Sequence, residues 1–209
     1  METNIKNIIF DMGGVLVGLD AQRCIDAFRQ IGCEKIAFYV EEHRTEDLFL
    51  DTELGRITQE EFCREVRRIT ACRASDEQIV WAWNQLLTGI AADKMQCLAQ
   101  LGTRYRLFLL SNTNIMHWHK CRDCFFNSGG HTAADLFERI FLSYEMHLAK
   151  PGEAIFAQTL AQAGINAAET LFIDDSRDNC HGAERLGINT LHETTGTDWM
   201  RLCRNASER

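Results

Sequence analysis

Short runs of β-branched and aromatic residues recur along the chain, each followed by polar residues or glycine. They are Asn7–Phe10, Arg106–Leu110, Arg139–Leu142, Thr170–Ile173 and, more weakly, Asn189–Leu191. The second and fourth read Arg-Leu-Phe-Leu-Leu and Thr-Leu-Phe-Ile. Continuous apolar runs of this kind suit strands covered on both faces by helices, and hence a parallel sheet. Between them, Lys94–Leu101 and Ala154–Ala163 have helical spacing, the latter closed by Gly164 just past its end. Strand alternating with helix predicts a doubly wound α/β core.

One interval departs from this rhythm. From Leu19 to about Gly89 the pattern is helical throughout, and no strand is expected. Asp20 is placed to cap a helix holding Ile25 and Phe28. Thr58-Gln59-Glu60-Glu61 spells a capping box for a helix that carries Phe62, Val66 and Ile69 at helical spacing. A second helix-rich block, with Trp81, Trp83 and Leu87, leads back to the sheet. The expected organisation is a core of residues 1–17 and 90–209, interrupted by an all-helical insertion, 18–89, that acts as a lid.

Composition narrows the class. The 209 residues are 45% hydrophobic and 25% charged, which suits a packed domain and excludes a disordered chain. Uninterrupted apolar stretches such as Ile36–Val40 fall far short of the roughly 20 residues that cross a bilayer. The start has no basic region followed by an apolar run, so the expected compartment is the cytoplasm. A formal net charge of −8 with no basic stripe disfavours nucleic acid or an anionic membrane as partner. The nine cysteines are scattered and odd in number, so most are expected reduced, several as small buried hydrophobes.

Four segments carry candidate chemistry, each at an expected strand end or helix start. Strand one ends in Asp11-Met12-Gly13-Gly14, a carboxylate followed by two glycines that let the chain turn sharply. The next strand ends in Ser111-Asn112-Thr113-Asn114, which offers hydroxyls and N–H groups to an oxyanion. Lys150-Pro151 stands just before a helix, with proline fitting its first turn. A cation is not favoured at that end of a helix dipole, so the lysine needs another reason, and an anion is one. Strand four ends in Asp174-Asp175, followed by Asn179. Adjacent carboxylates there repel unless a cation or hydrogen bonds compensate, and with Asp11 they make an oxygen-rich pocket suited to Mg²⁺. Singly, the four also fit a turn, a helix cap, a surface lysine and a solvated acidic loop.

Jointly and in this order, the four resemble the motifs of the haloacid dehalogenase (HAD) superfamily, mostly Mg²⁺-dependent phosphohydrolases. The helical insertion after strand one looks like that family's C1-type cap, so the resemblance spans the chain. It implies a Rossmann-like core and Asp11 as the nucleophile that takes a phosphoryl group from a small phosphorylated metabolite. It further implies Mg²⁺ held by Asp11, Asp175 and the Gly13 carbonyl. Asp174 would sit behind them with Asn179, Ser111 and the Asn112 N–H would grip phosphoryl oxygens, and Lys150 would neutralise charge.

One position departs from the family. Most of its phosphatases have a second aspartate two residues after the nucleophile, which protonates the leaving oxygen and then activates water. Here that residue is Gly13. Such assistance contributes roughly 10²- to 10⁴-fold in rate. Another group substitutes, the substrate has an easy leaving group, or turnover is lost. The Asp-x-Gly-Gly/Asn-Val variant resembles C1-capped sugar-phosphate phosphatases, which favours retained activity. Without the second aspartate, leaving groups of lower pKa, such as anomeric or acyl phosphates, are expected to be used best. The rival readings are a metal-independent 2-haloacid dehalogenase and a phospho-ligand-binding module. Asp20 and Arg23 fit an N-cap and a solvent-facing arginine better than phosphate ligands. His117-x-His119-x-Cys121-x-x-Cys124 has zinc-type ligands, but on a helix His119 points away from the other three. Asn205-Ala206-Ser207 is a glycosylation sequon by pattern only.

Overall fold

The computed structural model describes residues 5–42, 47–127 and 130–204; the Asn205 sequon lies outside them. In chain order the elements are β1 (Asn7–Phe10), β2 (Gly18–Leu19), α1 (Ala21–Gln30), α2 (Glu34–Glu41), α3 (Asp47–Glu53), α4 (Gln59–Thr70), α5 (Asp76–Asn84) and β3 (Leu87–Gly89). There follow α6 (Ala92–Gly102), β4 (Arg106–Ser111), α7 (Ile115–Lys120), a π-helical turn (Cys121–Phe126), α8 (Ala133–Leu136), β5 (Arg139–Leu142) and α9 (Ser143–Met146). The chain continues through α10 (Glu153–Ala163), β6 (Thr170–Asp174), α11 (Arg177–Glu184), β7 (Asn189–His192) and α12 (Arg201–Arg204).

Five strands form one parallel sheet in the order β5-β4-β1-β6-β7, with β1 at its centre. Successive side chains alternate between two apolar layers. Ile8, Phe10, Leu107, Leu109 and Ile173 enter one cluster with Leu98 and Trp199. Ile9, Phe108, Leu110 and Phe172 enter the other with Ile155 and Phe156 of α10. Each fully buried Phe or Leu contributes roughly 1.5–3 kcal/mol, and the two-sided burial is why these strands read as continuous rather than alternating.

Between β2 and β3 lie the inserted helices α1–α5, with an apolar cluster of their own that includes Ile25, Phe28, Phe62, Val66 and Trp83. Local chemistry sets their ends. Asp20 caps α1, and complete capping boxes open α4 at Thr58 and α5 at Ser75. Trp83 is the hub, stacked on Phe49 at 4.9 Å and on His117 of α7 at 4.9 Å.

The expectation of an unbroken helical stretch fails at its margin. Gly18–Leu19 and Leu87–Gly89 pair as a two-stranded antiparallel ribbon, so Leu87 belongs to a strand and not to a helix. The ribbon closes the insertion where the chain leaves and rejoins the core. Gly18 is packed so closely on Thr88 that a methyl group there would collide with its hydroxyl.

The disulfide Cys97–Cys203 ties α6 to α12 across 106 residues of sequence, and the other seven cysteines are free. Among the described residues no helix is long and apolar enough to cross a membrane.

Candidate active site

The carboxyl ends of β1, β4 and β6 converge on one site. Asp11 follows β1, its N–H bonded to the Ile173 carbonyl at 2.8 Å. The chain then turns back, with the Leu16 and Val17 N–H groups on the Met12 carbonyl and the Gly14 N–H on that of Val17. Gly14 has φ +73°, and a methyl group there would run into the Asp175 carboxylate. This glycine is obligatory on both counts. Gly13 differs: its φ is unremarkable, and a Cβ would meet only the flexible Leu19 side chain, at 3.3 Å.

Lys150 is buried between the two charged strand ends. Its Nζ donates to Asp11 Oδ1 at 2.7 Å, Asp174 Oδ2 at 2.6 Å and the Leu110 carbonyl at 3.1 Å. Asn112 fixes its backbone from both sides, accepting from the Lys150 N–H and donating to its carbonyl, each at 2.9 Å. Pro151 does not sit in the first turn of α10, as expected from sequence. A turn from Ala149 to Gly152 intervenes, and Gly152 is the N-cap.

Asp174 is fully buried and accepts, besides Lys150, from the Ser176 N–H at 2.8 Å and Asn179 Nδ2 at 3.0 Å. Asp175 lies beside it, exposed. Each of Asp11, Asp174 and Asp175 offers an oxygen within 4.8 Å of the others; among the described residues no other set of three His, Cys, Asp or Glu groups does so. No N–H or O–H of the described residues donates to the Gly13 carbonyl. Three clustered carboxylates, a free carbonyl and a glycine cradle under Asp175 form a donor set for a hard, oxygen-loving cation.

The electrostatics agree. Burial pushes the Asp11 carboxyl up to about 7 against the pull of Lys150, with Asp174 adding to the rise. Asp175 is raised too, by partial desolvation and then by Asp174. Lys150 is raised, because attraction to Asp11 and Asp174 outweighs its desolvation. The protein alone thus leaves the pocket short of positive charge.

The match to known proteins follows this geometry. Residues 5–187 fit the model of the haloacid dehalogenase-like hydrolases. The chain belongs to that family. It is 29% identical over 197 residues to a D-ribitol-5-phosphate phosphatase of Bacteroides thetaiotaomicron, covering 93% of this chain and 95% of the relative. A HAD family enzyme of the same organism, solved in complex with magnesium and inorganic phosphate, superposes with a TM-score of 0.90 at 42% identity, covering 95% of this chain and 98% of that one. A predicted HAD-like hydrolase from Porphyromonas gingivalis reaches 0.87 at 36% identity and covers 99% of both chains.

Within this HAD chain, Asp11, Lys150, Asp174, Asp175 and Asn179 come together, with Ser111 buried at the end of the neighbouring strand β4. Asp20 and Arg23 have other work: Asp20 accepts from the Arg23 N–H at 3.2 Å, and the guanidinium donates to Gln85 Oε1 at 3.1 Å. The zinc-type run does not assemble. His117 is buried against Trp83, with Nε2 3.1 Å from its carbonyl; Cys121 lies in the core, and His119 and Cys124 are exposed. The switch from α to π winding at Cys121 also undoes the helical spacing assumed for them.

Sequence reasoning passed over one ionisable residue whose backbone is bonded beside this site. Glu53 ends α3, its carbonyl accepts from Ser143 Oγ at 2.7 Å, and burial raises its carboxyl against the pull of Lys150. The only local hint was Gly55, a backbone breaker within an otherwise helical stretch.

Proposed function

We propose that this chain is a Mg²⁺-dependent phosphohydrolase of the cytoplasm, acting on a small phosphorylated metabolite such as a sugar or polyol phosphate. The observation that carries the reading is the Asp11–Lys150–Asp174 chain of short bonds beside Asp175, at the end of strands that also deliver Ser111. The phosphatase relative and the magnesium- and phosphate-bound neighbour support it.

Asp11, Asp175 and the Gly13 carbonyl would hold Mg²⁺. The ion supplies charge neutralisation between the carboxylates and an incoming phosphate. Asp11 attacks phosphorus and becomes an aspartyl-phosphate, which water then hydrolyses. Lys150, gripping Oδ1, fixes the angle of the nucleophile and offsets its charge. Asp174 and Asn179 keep Lys150 in place. The Ser111 hydroxyl and the Asn112 N–H receive phosphoryl oxygens. Residues 18–89 act as the cap that excludes bulk water during transfer, with the β2–β3 ribbon as its root. A molecule of net charge −8 thus admits an anion, because metal and Lys150 reverse the local sign.

A panel of sugar, polyol and acyl phosphates, assayed with Mg²⁺ and with a chelator, tests this reading. Phosphate release should need the metal and fall on the order of 10⁴-fold or more in Asp11→Asn, with the fold retained. Chelator-insensitive halide release from a 2-haloacid would overturn it. Phosphate-ester binding without any release would instead favour a binding module, the reading that the bare Gly13 keeps in view.

A further inference from the structure

Resting on the phosphatase reading, one step lacks an agent. As Asp11 attacks, the ester oxygen that leaves needs a proton, and the water that follows must lose one. Gly13 has no side chain to supply either, and Leu19 packs where one would begin. The other ionisable groups around the site are engaged. Lys150 donates to three oxygens, and Asp174 accepts from three donors. Asp20 caps α1, and His117 lies buried against Trp83. His147 Nδ1 is on the Leu54 carbonyl at 2.8 Å, and His192 Nε2 on the Asp175 carbonyl at 3.0 Å.

Glu53 remains. Its backbone is seated on the core at consecutive points. The Glu53 carbonyl accepts from Ser143 Oγ at 2.7 Å, and Ser143 Oγ in turn accepts from the Thr113 N–H at 2.9 Å, in the loop that begins with Ser111. Leu54 is held by His147, and Gly55, at φ +62°, is pressed on the Tyr144 carbonyl so closely that no Cβ would fit. The insertion therefore delivers Glu53 to the edge of the phosphate loop. Its carboxylate meets no hydrogen-bond donor among the described residues.

We infer that Glu53 is the general acid and base of this enzyme, taking from the inserted helices the role that Gly13 leaves vacant in the core. Protonated, it gives its proton to the ester oxygen as the phosphorus–oxygen bond to the leaving group breaks and the bond to Asp11 forms. The resulting carboxylate then takes a proton from the water that attacks phosphorus. The bond to Asp11 breaks, phosphate leaves, and Glu53 is an acid again. Burial, acting against Lys150, favours the protonated form needed for the first step.

Glu53→Gln, assayed as the full chain with Mg²⁺ on D-ribitol 5-phosphate and on p-nitrophenyl phosphate, tests the assignment. On the alkyl ester, turnover should fall by about 10²- to 10⁴-fold, because an alkoxide cannot leave unprotonated. Nitrophenolate leaves without a proton, so that substrate should give a stoichiometric burst followed by slow release from accumulated aspartyl-phosphate. Glu53→Asp, which keeps the acid, should retain more alkyl-ester activity than Glu53→Gln. Unimpaired turnover of both esters by Glu53→Gln would overturn the assignment, as would an equal loss on both without a burst. So would equal losses in the Asp and Gln variants. If the wild type hydrolyses esters, Asp11→Asn does not and Glu53→Gln is unimpaired, only this assignment falls. A wild type that releases no phosphate from any ester removes the phosphatase reading, and this assignment with it.

Discussion

Lys150 and Glu53 are ionisable side chains set beside the carboxyl ends of the strands, and they are held in opposite ways. Lys150 uses every hydrogen of its ammonium group, on Asp11, Asp174 and the Leu110 carbonyl, while Asn112 clamps its backbone. Among the described residues Glu53 is fixed through its main chain, by Ser143 and by the seating of Leu54 and Gly55, and its carboxylate meets no donor. The difference separates two tasks. A charge that must stay put is enclosed by partners that stabilise that charge. A group that must gain and lose a proton is spared such partners, since each would favour one protonation state.

The largest test of this contrast is removal of the enclosed cation. Lys150→Ala strands Asp11 and Asp174 as buried carboxylates and should lower stability by about 3–5 kcal/mol. Urea unfolding without metal measures it, and a loss well under about 1 kcal/mol would show that the floor does not depend on the lysine. Glu53→Gln, by contrast, should leave the urea midpoint nearly unchanged.

A smaller effect comes from His117, a buried titratable group with defined partners. Nε2 faces the Trp83 carbonyl and Nδ1 faces Asn114 Nδ2, the pattern of a neutral ring, and burial lowers its pKa to about 4. The unfolded chain binds this proton from about 6.5 downward and the folded chain only near 4, so stability falls as pH drops through that window. The full cost is about 3 kcal/mol. Asp11, raised to about 7, has the opposite slope, since the folded chain holds its proton where the unfolded chain has lost it. The difference between wild type and His117→Asn across pH 7 to 4 isolates the histidine; parallel curves would refute its buried neutral state.

The smallest test compares the two glycines. Gly14→Ala meets both a positive φ and Asp175 and should cost about 1–3 kcal/mol, with weaker Mg²⁺ binding by calorimetry. Gly13→Ala meets only Leu19, and its loss should be smaller on both measures.

Much of this floor was legible because strands buried on both faces give continuous apolar runs, and polar residues at their ends stand out. β1 and β5 coincide with the sequence reading, and β4 and β6 extend it by one residue each, into Ser111 and Asp174. The two- and three-residue strands of the β2–β3 ribbon are too short to show a period. The pairing of Cys97 with Cys203 has no local signal at a separation of 106. Glu53 was illegible for the same reason. Nothing in Thr52-Glu53-Leu54-Gly55 distinguishes it from other acidic helix ends, and its place depends on Ser143, 90 residues away.

Ser143 has one proton and two takers. Its hydroxyl faces the Glu53 carbonyl at 2.7 Å and the Thr113 carbonyl at 3.0 Å, while accepting from the Thr113 N–H. Were the Glu53 segment to lift, the proton would swivel from one carbonyl to the other, and no buried donor would be stranded. One hydrogen bond is exchanged for another, so this contact adds little to the free-energy difference between seated and lifted states. Thr113 keeps its hold on Ser143 in both. The latch between insertion and core can therefore be released and remade without disturbing the loop that begins with Ser111.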